Sequence, residues 1–542
     1  MTDTRPGIDA TAPPIEAPPA DAPPSETPPP EIPPIDPDAF ARRFLAHAAS
    51  QLPGRSEAAL NGLAEQSLVF GAVREPARTL LRVHAVGDDI TAIDVVTDDA
   101  PYLVDSLRAE LDRTGHHVDR ILHPQLVVSR DAHGRLTELV DIDDSADVPP
   151  GALVEAWMHV EIDAIAPPEA EELMTALRGV FEDVHHAVQD APQMYELIRT
   201  LAADLAAEPG EFDRETSEEA GELLRWLADG NYMILGHAAY SANELASPTA
   251  RTQGSDVKGV LRGAARISPL ELLPAFRSGA PLVIFKSPLI STVRRSVRYD
   301  CVTVVTRARE TGAQMVHVFL GLITSAEDGT VARVPVVRRR IAEILLRSGV
   351  RADSHTGRQL LAALRTLPRD ELLEAPTPDL LRLVQLVVDR AEHGTVGVFA
   401  RIHLNRDFVS VLVYFRADRF GPETRRRVTA VIEQHWPGEI IGRDDRMVEL
   451  GLARMQFLVA LRPGMPPPSP ERRAVEAQVA RVTRRWSDEL AELLVAAVGV
   501  DEADRLRRRY AQALPEAYKE DVSAAEAVAD LIRLDSLPEQ DG

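Results

Sequence analysis

The sequence predicts a multidomain α+β protein with two ferredoxin-like α/β sandwiches, an intervening β-rich unit and helical segments. The chain has 542 residues, enough for roughly three or four folding units. Two separate stretches order their strands and helices as a ferredoxin-like sandwich does. The hydrophobic fraction of 45% and the charged fraction of 27% are those of an ordinary soluble globular protein. These observations favour several folded units over one large domain.

Residues 1–37 predict a disordered tail. They contain repeated Pro-Pro pairs and acidic residues with almost no bulky apolar side chains, so burial cannot repay the entropy of ordering. A partly polyproline conformation is expected there. The ordered chain is predicted to begin with a helix from about Asp38 to Gln51, whose apolar stripe contains Phe40, Phe44 and Leu45.

The first sandwich, with its flanking helices, is assigned to residues 38–210. Gly87-Asp88-Asp89 separates two β-branched runs, which indicates a hairpin. Pro101 suits the first turn of a helix and Gly115 ends that helix. The predicted elements are strands Thr79–Ala85, Ile90–Thr97, Val118–Ser129 and Leu153–Ile165, a helix from Pro101 to Gly115, and a helix from Pro167 to about Val188. From the second hairpin strand onward this order is ferredoxin-like.

Residues 211–350 predict a β-rich α+β unit, and residues 351–394 predict a helical connector. The predicted strands are Tyr232–Tyr240, Leu282–Lys286, Asp300–Arg307 and Gln314–Leu322, and the predicted helices are Asp213–Asp229, Pro335–Arg347 and Thr356–Leu364. An apolar stripe between Leu381 and Val388 is expected to form core or a subunit contact.

The second sandwich is assigned to residues 395–462, and residues 463–542 form a linker and a helical C-terminal segment. The predicted elements of the sandwich are strands Gly397–Leu404, Phe408–Arg416, Ile440–Arg446 and Ala453–Leu461, with a helix from Pro422 to His435. Beyond the linker Pro463–Pro470, helices are predicted over Glu471–Val498 and Glu502–Ala513.

Charge and cysteine content exclude several classes of function. A formal net charge of -24 repels a nucleic-acid backbone, so no nucleic-acid binding is expected. No apolar run approaches the roughly 20 residues that span a bilayer, so no membrane association is expected. Cys301 is the only cysteine, which rules out an intramolecular disulfide framework. No leader is recognised, and the predicted compartment is the cytoplasm.

The usual nucleotide-binding and hydrolytic motifs do not occur in the sequence. A dinucleotide-binding turn uses G-x-G-x-x-G at a helix start, where backbone amides approach the pyrophosphate, and this chain has no G-x-G. A Walker-type loop, HExxH and zinc-spaced cysteines or histidines are also missing from it. We therefore expect no catalytic residue, no cofactor and no metal in this chain.

Seven blocks in matching order resemble the amino-terminal region of the large bacterial NAD-specific glutamate dehydrogenases. They are ILHPQLVVSRD at Ile121–Asp131, AWMHVEID at Ala156–Asp163, LLRWLADGNYMILGHAAY at Leu223–Tyr240, the segment Lys286–Asp328 with its FLGLITS block, TLPRDELLE at Thr366–Glu374, NRDFVSVLVYFRADRF at Asn405–Phe420, and YKEDVSAAEAVADLIRLDSL at Tyr518–Leu537. The resemblance implies that both sandwiches are ACT-like domains, a class that senses small molecules, often amino acids. It also implies a catalytic domain far downstream, with NAD as the cofactor of the full-length family.

The segment Thr97–Asp105 is the candidate ligand-binding loop. It joins a strand to a helix amino terminus, where free amides and the helix dipole favour a carboxylate or another anion. The candidate residues are Asp98, Asp99, Ala100, Pro101 and Tyr102. The segment is similar to the turn through which ACT domains often hold an amino acid, although Ala100 or Tyr102 replaces the glycine common there. The alternative is that Asp98 and Asp99 only cap the helix.

A basic set in the next unit is the candidate anion or partner contact. Its members are Lys286, Arg294, Arg295 and Arg298, and guanidinium groups bind carboxylates in a forked geometry. The alternative is a solvated strand face or a set of intramolecular ion pairs.

Other histidine, acidic and cysteine patterns favour structural roles. His116, His117 and His123 lie on a predicted strand that directs adjacent side chains to opposite faces, and His185 and His186 diverge on a helix. The acidic run from Asp141 to Asp147 lacks the glycine and the distal glutamate of a calcium loop. Cys301 lies in an apolar strand, where an inert buried thiol is expected.

The resemblance implies the regulatory and assembly portion of an enzyme that oxidatively deaminates L-glutamate to 2-oxoglutarate and ammonium. The expected partners are a small amino-acid effector, a downstream catalytic region and further copies of the chain in a homo-oligomer. A second hypothesis is a stand-alone amino-acid-sensing or scaffold protein that acts in trans on a separate catalytic subunit. A third is an independent enzyme with an unrecognised site.

Overall fold

The computed structural model describes residues 35–46, 52, 54–87, 89–141, 148–208, 210–246, 254–263, 265, 267–307, 312–324, 334–462, 466–510 and 513–537. The predicted tail therefore lies outside the described residues, apart from residues 35–37. The chain falls into two compact units, residues 1–99 with 115–178 and residues 100–114 with 179–542. Each unit is built from antiparallel sheets and helices, which agrees with the predicted α+β class.

The first unit contains one six-stranded antiparallel sheet. Its strands are β1 Leu80–Ala85, β2 Ile90–Asp98, β3 Val118–Leu122, β4 Gln125–Arg130, β5 Leu136–Leu139 and β6 Leu153–Asp163. Their order is β1-β2-β6-β4-β5, and β3 also pairs with β6. The predicted hairpin is present, with Leu80 opposite Val96 and Ala85 opposite Thr91. The central strands β2 and β6 follow the ferredoxin-like order, and β1 forms the outer edge.

Two predictions for this unit are corrected by the structure. The expected single strand Val118–Ser129 is two strands, because the chain leaves the ladder at His123-Pro124, where proline has no N–H to donate. The helix expected from Pro167 to about Val188 runs to Ala207. Helix α2, Glu57–Phe70, was not expected, because its buried face consists largely of small residues and gives a weak apolar pattern.

Helices α1, Pro37–Phe44, and α2 cover one face of this sheet. Phe40 and Phe44 on α1 are buried with Trp157 on β6, and the rings of Phe40 and Trp157 lie 5.1 Å apart. Gly71 ends α2 directly against that indole, and a Cβ at Gly71 would lie 2.1 Å from Trp157 Cη2. The predicted first helix is thus present but ends at Phe44, and its stripe is core as expected.

The second unit has a five-stranded antiparallel sheet near its start. The strands are β7 Tyr232–Ser241, β8 Ser255–Gly259, β9 Leu282–Ile290, β10 Arg298–Arg307 and β11 Gln314–Ile323, in the order β8-β7-β11-β10-β9. The helices of this part are α3 Leu103–Thr114, α5 Arg214–Trp226, α6 Ala242–Ala246 and α7 Pro269–Arg277. Helix α4 spans Pro167–Ala207, and its residues from Gly179 onward belong to this unit.

The structure of this sheet explains why the FLGLITS block contains a glycine at position 321. The register of β11 shifts between Leu320 and Gly321, and the Tyr232 hydroxyl donates to the carbonyls of Phe319 and Asp300 at 3.0 and 2.7 Å. A Cβ at Gly321 would lie 2.1 Å from the Met233 carbonyl oxygen and 2.7 Å from the Tyr232 ring. Only glycine lets the buried tyrosine cross the strand at this bulge.

In the second unit, four helices follow the five-stranded sheet in the chain and precede a four-stranded sheet. They are α8 Val337–Ser348, α9 His355–Thr366, α10 Arg369–Glu374 and α11 Thr377–His393. The sheet has strands β12 Gly397–Ile402, β13 Phe408–Arg416, β14 Ile440–Val448 and β15 Leu452–Ala460, in the order β12-β13-β15-β14. Helices α12, Pro422–His435, and α13, Arg472–Val482, share an apolar core with one face. Side chains of the other face, including Leu412 and Tyr414, join the core of the four linking helices.

The chain ends in a small helical cluster. Its helices are α14 Trp486–Val498, α15 Val500–Tyr510, α16 Glu516–Asp521 and α17 Ala524–Ser536, and α14, α15 and α17 share a core. One helix was predicted over Glu471–Val498, but the structure has two: α13 ends at Val482, and α14 begins at Trp486. Within the described ranges no helix is both long and apolar enough to cross a membrane.

Candidate functional site

Parts of the two segments selected from the sequence meet at Tyr102 and Arg294. The Tyr102 carbonyl accepts the Ser106 N–H at 2.9 Å, which places Tyr102 at the N-cap of α3, and it also accepts the Ser106 hydroxyl at 2.6 Å. The Arg294 N–H donates to Ser106 Oγ at 2.8 Å, and its guanidinium carbon lies 5.9 Å from the centre of the Tyr102 ring. A cation above an aromatic face at this distance is attractive.

Both residues hold a backbone conformation that ordinary side chains avoid. The φ angles of Tyr102 and Arg294 are +76° and +68°. Such strain costs of order 1–3 kcal/mol and persists only where neighbours impose it. Thr292 supplies one restraint, since its hydroxyl donates to Asp183 Oδ2 at 2.8 Å. Burial raises the pKa of Asp183 to about 6 against that hydrogen bond. The result is a strained, anchored contact between a helix start and a loop.

Asp98 and Asp99 lie in the other compact unit, and neither occupies the N-cap position of α3. Asp98 Oδ1 pairs with Arg74 Nη2 at 2.5 Å. Asp99 Oδ2 accepts a hydrogen bond from Gln125 Nε2 at 2.8 Å, and the Asp99 N–H donates to the Val154 carbonyl at 2.9 Å. Because α3 begins at Leu103, both aspartates precede its N-cap position in the chain, and the capping alternative stays a prediction. Ala100 and Pro101 immediately precede Tyr102 in the chain, and ligand binding by the five residues stays a prediction.

The Arg74 pair belongs to a buried network that the sequence analysis missed. Glu155 Oε1 accepts from Arg74 Nε at 2.9 Å and from Arg130 Nε at 2.7 Å, while Glu155 Oε2 accepts from Trp157 Nε1 at 3.1 Å. The side chains of Arg74, Arg130 and Glu155 are 1%, 4% and 0% exposed. Two guanidinium groups thus share one buried carboxylate. The sequence indicates this network in one way: charged residues and Trp157 occupy alternate positions along β6, so they share one face of the strand.

A second network lies on the same face of the first sheet. Asp94 accepts from His159 Nδ1 at 2.6 Å, from Arg82 Nε at 2.7 Å and from His84 Nε2 at 2.8 Å. Burial opposes ionisation of Asp94, but the hydrogen bonds from His159 and His84 prevail and its pKa lies below the usual range. Burial likewise opposes the charged form of His159, yet Asp94 and Glu161 raise its pKa. The hydrogen bond from His159 is the main cause that lowers the pKa of Glu161 to about 2.

Lys286 lies in a separate charged cluster in the second unit. Its Nζ pairs with Asp300 Oδ1, and Asp300 Oδ2 accepts the Ile323 N–H at 2.7 Å. Burial lowers the pKa of Lys286, but the neighbouring carboxylates, Asp300 above all, outweigh that effect and raise it. For Lys286 the structure therefore shows the intramolecular ion pair that was the alternative to an anion clamp.

The acidic helix α10 faces strand β12 in this cluster. Arg401 Nε donates to Glu371 Oε2 at 2.7 Å. Glu374 Oε2 lies 3.1 Å from His403 Nδ1 and 3.6 Å from Arg401 Nη2, but neither approach has hydrogen-bond geometry among the described residues. Burial raises the pKa of Glu374 well above its usual range, and burial with Arg401 lowers that of His403. The pair Glu374–His403 is thus favoured in its neutral form.

The remaining predicted arginines do not form one clamp with Lys286. Arg295 Nη2 donates to the Ile323 carbonyl at 3.3 Å. Arg298 Nη1 donates to the Ser287 carbonyl at 3.4 Å, and its guanidinium carbon lies 5.6 Å from the centre of the Phe408 ring. Burial lowers the pKa of Arg298, and Asp407 opposes that shift. Anion or partner binding by these residues stays a prediction.

No group of three histidine, cysteine or carboxylate side chains arranged for a metal ion occurs in the described part of the chain. Of the predicted acidic loop, residues 142–147 lie outside the description. Cys301 is fully buried, and burial raises the pKa of its thiol well above the usual range. The neutral thiol agrees with the expected inert role.

The described strands do not fit the usual NAD-binding arrangement. Every strand pairing within the described ranges is antiparallel. A dinucleotide fold instead binds its ligand outside the carboxyl ends of parallel strands. The expectation that this chain itself holds no cofactor stays a prediction.

The two sheets of permuted ferredoxin-like order define the chain as a multidomain α+β protein with two sandwiches of one topology. Four domain families match it in chain order: glutamate dehydrogenase ACT1 domain over residues 40–177, helical motif 1 over 334–393, ACT2 domain over 397–487 and helical motif 2 over 493–537. The chain therefore belongs to the NAD-specific glutamate dehydrogenase family and corresponds to its amino-terminal region. This confirms the resemblance found in the sequence.

The chain is similar to three proteins named NAD-specific glutamate dehydrogenase. The NAD-specific glutamate dehydrogenase of Mycobacterium tuberculosis is 30% identical over 455 residues, which is 81% of this chain and 27% of that protein. Those of Halomonas elongata and Pseudomonas aeruginosa are 28% and 27% identical, each over 83% of this chain and 28% of their own length. The chain thus spans little more than a quarter of these relatives.

Proposed function

We propose that this chain is the regulatory and assembly portion of an NAD-dependent glutamate dehydrogenase and is itself non-catalytic. The observation that carries the proposal is that the four matched domains are two ACT domains and two helical motifs. The activity expected of the whole enzyme converts L-glutamate and NAD to 2-oxoglutarate, ammonium and NADH. The chain covers 27–28% of its relatives, which supports a contribution to control and assembly.

The geometry at Tyr102 supports a sensing role. The Arg294 loop is joined to α3 by one backbone hydrogen bond to Ser106 and by a cation–aromatic contact, both within the second unit. A ligand that altered the strained turn at Tyr102 would act directly on the Arg294 loop. A small amino acid is the proposed effector, the proposed partners are a catalytic region and further copies of this chain, and the proposed compartment is the cytoplasm.

The test is an NADH absorbance assay of the purified 542-residue chain with L-glutamate and NAD, beside the full-length Mycobacterium tuberculosis relative as the positive control. We expect turnover from the relative and none from this chain. Sustained glutamate-dependent NADH production by the chain alone would overturn its non-catalytic role.

Adding a separately expressed catalytic region of the same relative tests the partner. A change in its rate or in its mass by light scattering when this chain is added would support control in trans by a separate subunit. If the rate and the mass of the catalytic region are both unchanged, action in trans is contradicted. The proposal then holds only for control within one longer polypeptide.

A further inference from the structure

A groove of about 540 Å³ runs along the open edge of the second sandwich. Strand β12 is the edge strand of that sheet, since it pairs with β13 alone. Helix α11 borders the groove on one side, and Trp436 with the segment Pro468–Arg472 borders it on the other. All of these residues belong to the second compact unit. The volume lies within the range of small-molecule sites, about 300–1,000 Å³.

The edge strand directs backbone amides toward the groove. Directly after β12, the His403 N–H donates to the Phe408 carbonyl across the hairpin. Within β12, the Val398 N–H donates outward to Glu476 Oε1 at 3.2 Å. Residues alternate between the two directions in an antiparallel pair. The N–H groups of Ala400 and Ile402 therefore point outward in the same direction as that of Val398.

Side chains that carry N–H donors line the groove, among them Trp436, Arg382 and Arg472. Trp436 is 2% exposed, and its indole N–H has no hydrogen-bond partner among the residues described. A buried indole N–H normally donates to an acceptor, so the missing acceptor at Trp436 requires a structural explanation. Arg382 and Arg472 line the same groove with side chains 71% and 57% exposed. Arg382 pairs with Asp379, while Arg472 approaches its carboxylate neighbour Glu476 only to 3.9 Å.

The rest of the lining is largely apolar. Leu386 of α11, Phe399 of β12 and Val409 of β13 contribute to the walls. Asp379 also lines the groove, but its carboxylate is paired with Arg382. The indole, the Arg472 guanidinium and the amide N–H groups all donate, so the complementary ligand is an acceptor that carries negative charge. The walls require an apolar body beside that acceptor.

We propose that this groove binds a small carboxylic acid with an apolar body. The carboxylate accepts from the Arg472 guanidinium and from outward amides of β12, and the apolar body packs among the walls. The inference does not rest on dehydrogenase activity, because it uses only residues of the second sandwich and the helix beside it.

The test uses the full 542-residue chain labelled with 5-fluorotryptophan. Its four tryptophans give four ¹⁹F signals, and Trp436→Phe assigns the one in the groove. The probes are 4-methylpentanoate, the uncharged 4-methylpentan-1-ol and L-leucine. We expect saturable movement of the Trp436 signal with 4-methylpentanoate, and binding at least about tenfold weaker for the alcohol. Stronger binding of L-leucine would narrow the ligand to amino acids within the same class.

The matched variants are Arg472→Ala and Arg473→Ala, neighbouring exposed arginines of which only Arg472 lines the groove. We expect about tenfold weaker binding for the first variant and unchanged binding for the second. Ala400→Phe, which fills the groove from an exposed edge position without adding a tryptophan, should abolish binding while the other three ¹⁹F signals stay in place. An unmoved Trp436 signal with all three probes, or equal affinity for acid and alcohol, would overturn the proposal.

Discussion

The first and second sandwiches share one strand order but treat their buried charges differently. In both, a hairpin strand forms one edge of the sheet. In the first, Glu155 and Asp94 each accept several hydrogen bonds from buried cations or histidines. In the second, Glu374 approaches His403 without a hydrogen bond. The same strand order therefore accommodates a hydrogen-bonded network around Glu155 and Asp94 in the first sandwich, and a buried Glu374–His403 contact without a hydrogen bond beside the second.

The largest expected effect comes from breaking the paired network. Glu155→Ala leaves Arg74 and Arg130 buried without their carboxylate, so opening of β6 should become easier by about 3–5 kcal/mol. Hydrogen exchange of β6 peptides measures that free energy of opening. Glu75→Ala is the control, because the exposed Glu75–Arg78 pair is worth about 1 kcal/mol or less. Equal effects of the two substitutions would show that the Glu155 network adds nothing to stability.

A smaller effect is expected where the first sheet meets its helical cover. Gly71→Ala places a Cβ against Trp157 and should destabilise the first unit by about 1–3 kcal/mol. Gly62→Ala lies within α2 with no atom within 4 Å of the added Cβ, so it should stabilise by roughly 0.5–1 kcal/mol. Urea unfolding followed by tryptophan fluorescence compares the two. A neutral Gly71→Ala would mean that α2 does not seal this face.

Removing the charge of Glu374 beside the second sandwich should cost less stability than removing the charge of Glu155 in the first. The raised pKa of Glu374 favours its neutral form, so Glu374→Gln should change stability by less than about 1 kcal/mol. Exchange of peptides from β12 and β13 reports the effect, with Glu155→Gln in the first sandwich as the comparison. A loss of several kcal/mol in Glu374→Gln would show that the ionised carboxylate is required.

His159 and His403 should make opposite contributions to the pH dependence of the two sandwiches. The pKa of His159 is raised in the folded chain, so its contribution is complete below its unfolded value of about 6.5 and is lost as pH rises through the folded pKa. The pKa of His403 is lowered, so the unfolded chain binds the extra proton and stability is lost as pH falls below about 6.5. Glu374 has a raised pKa and therefore acts against His403 over this range, so the comparison is made in the Glu374→Gln variant, which removes that titration. In that variant, exchange of β6 and β12 peptides across pH 5.5–8.5, corrected for intrinsic rates, should show opposite slopes. His159→Gln and His403→Gln should each flatten only their own slope.

Much of the architecture followed from local patterns, whereas the candidate sites depended on long-range pairing. The alternation of residues in β2, β6 and β13 and the turn at Gly87 predicted the sheets well. The division of Val118–Ser129 into two strands was missed, since one proline interrupts a pattern that is otherwise continuous. Asp98 was assigned to a cap or a ligand because its partner, Arg74, lies 24 residues away in sequence.

The sequence by itself determined the α+β class, the order of most strands and helices, and the family resemblance, because periodicity, turn residues and motifs are local properties of the chain. Tertiary structure decided which charges are paired. It placed Tyr102 at a helix start beside Arg294, gave Lys286 an internal partner, and opened a groove beside β12 between α11 and Trp436. These outcomes depend on distances between residues remote in sequence, and such distances are set only when the helices pack on the sheets.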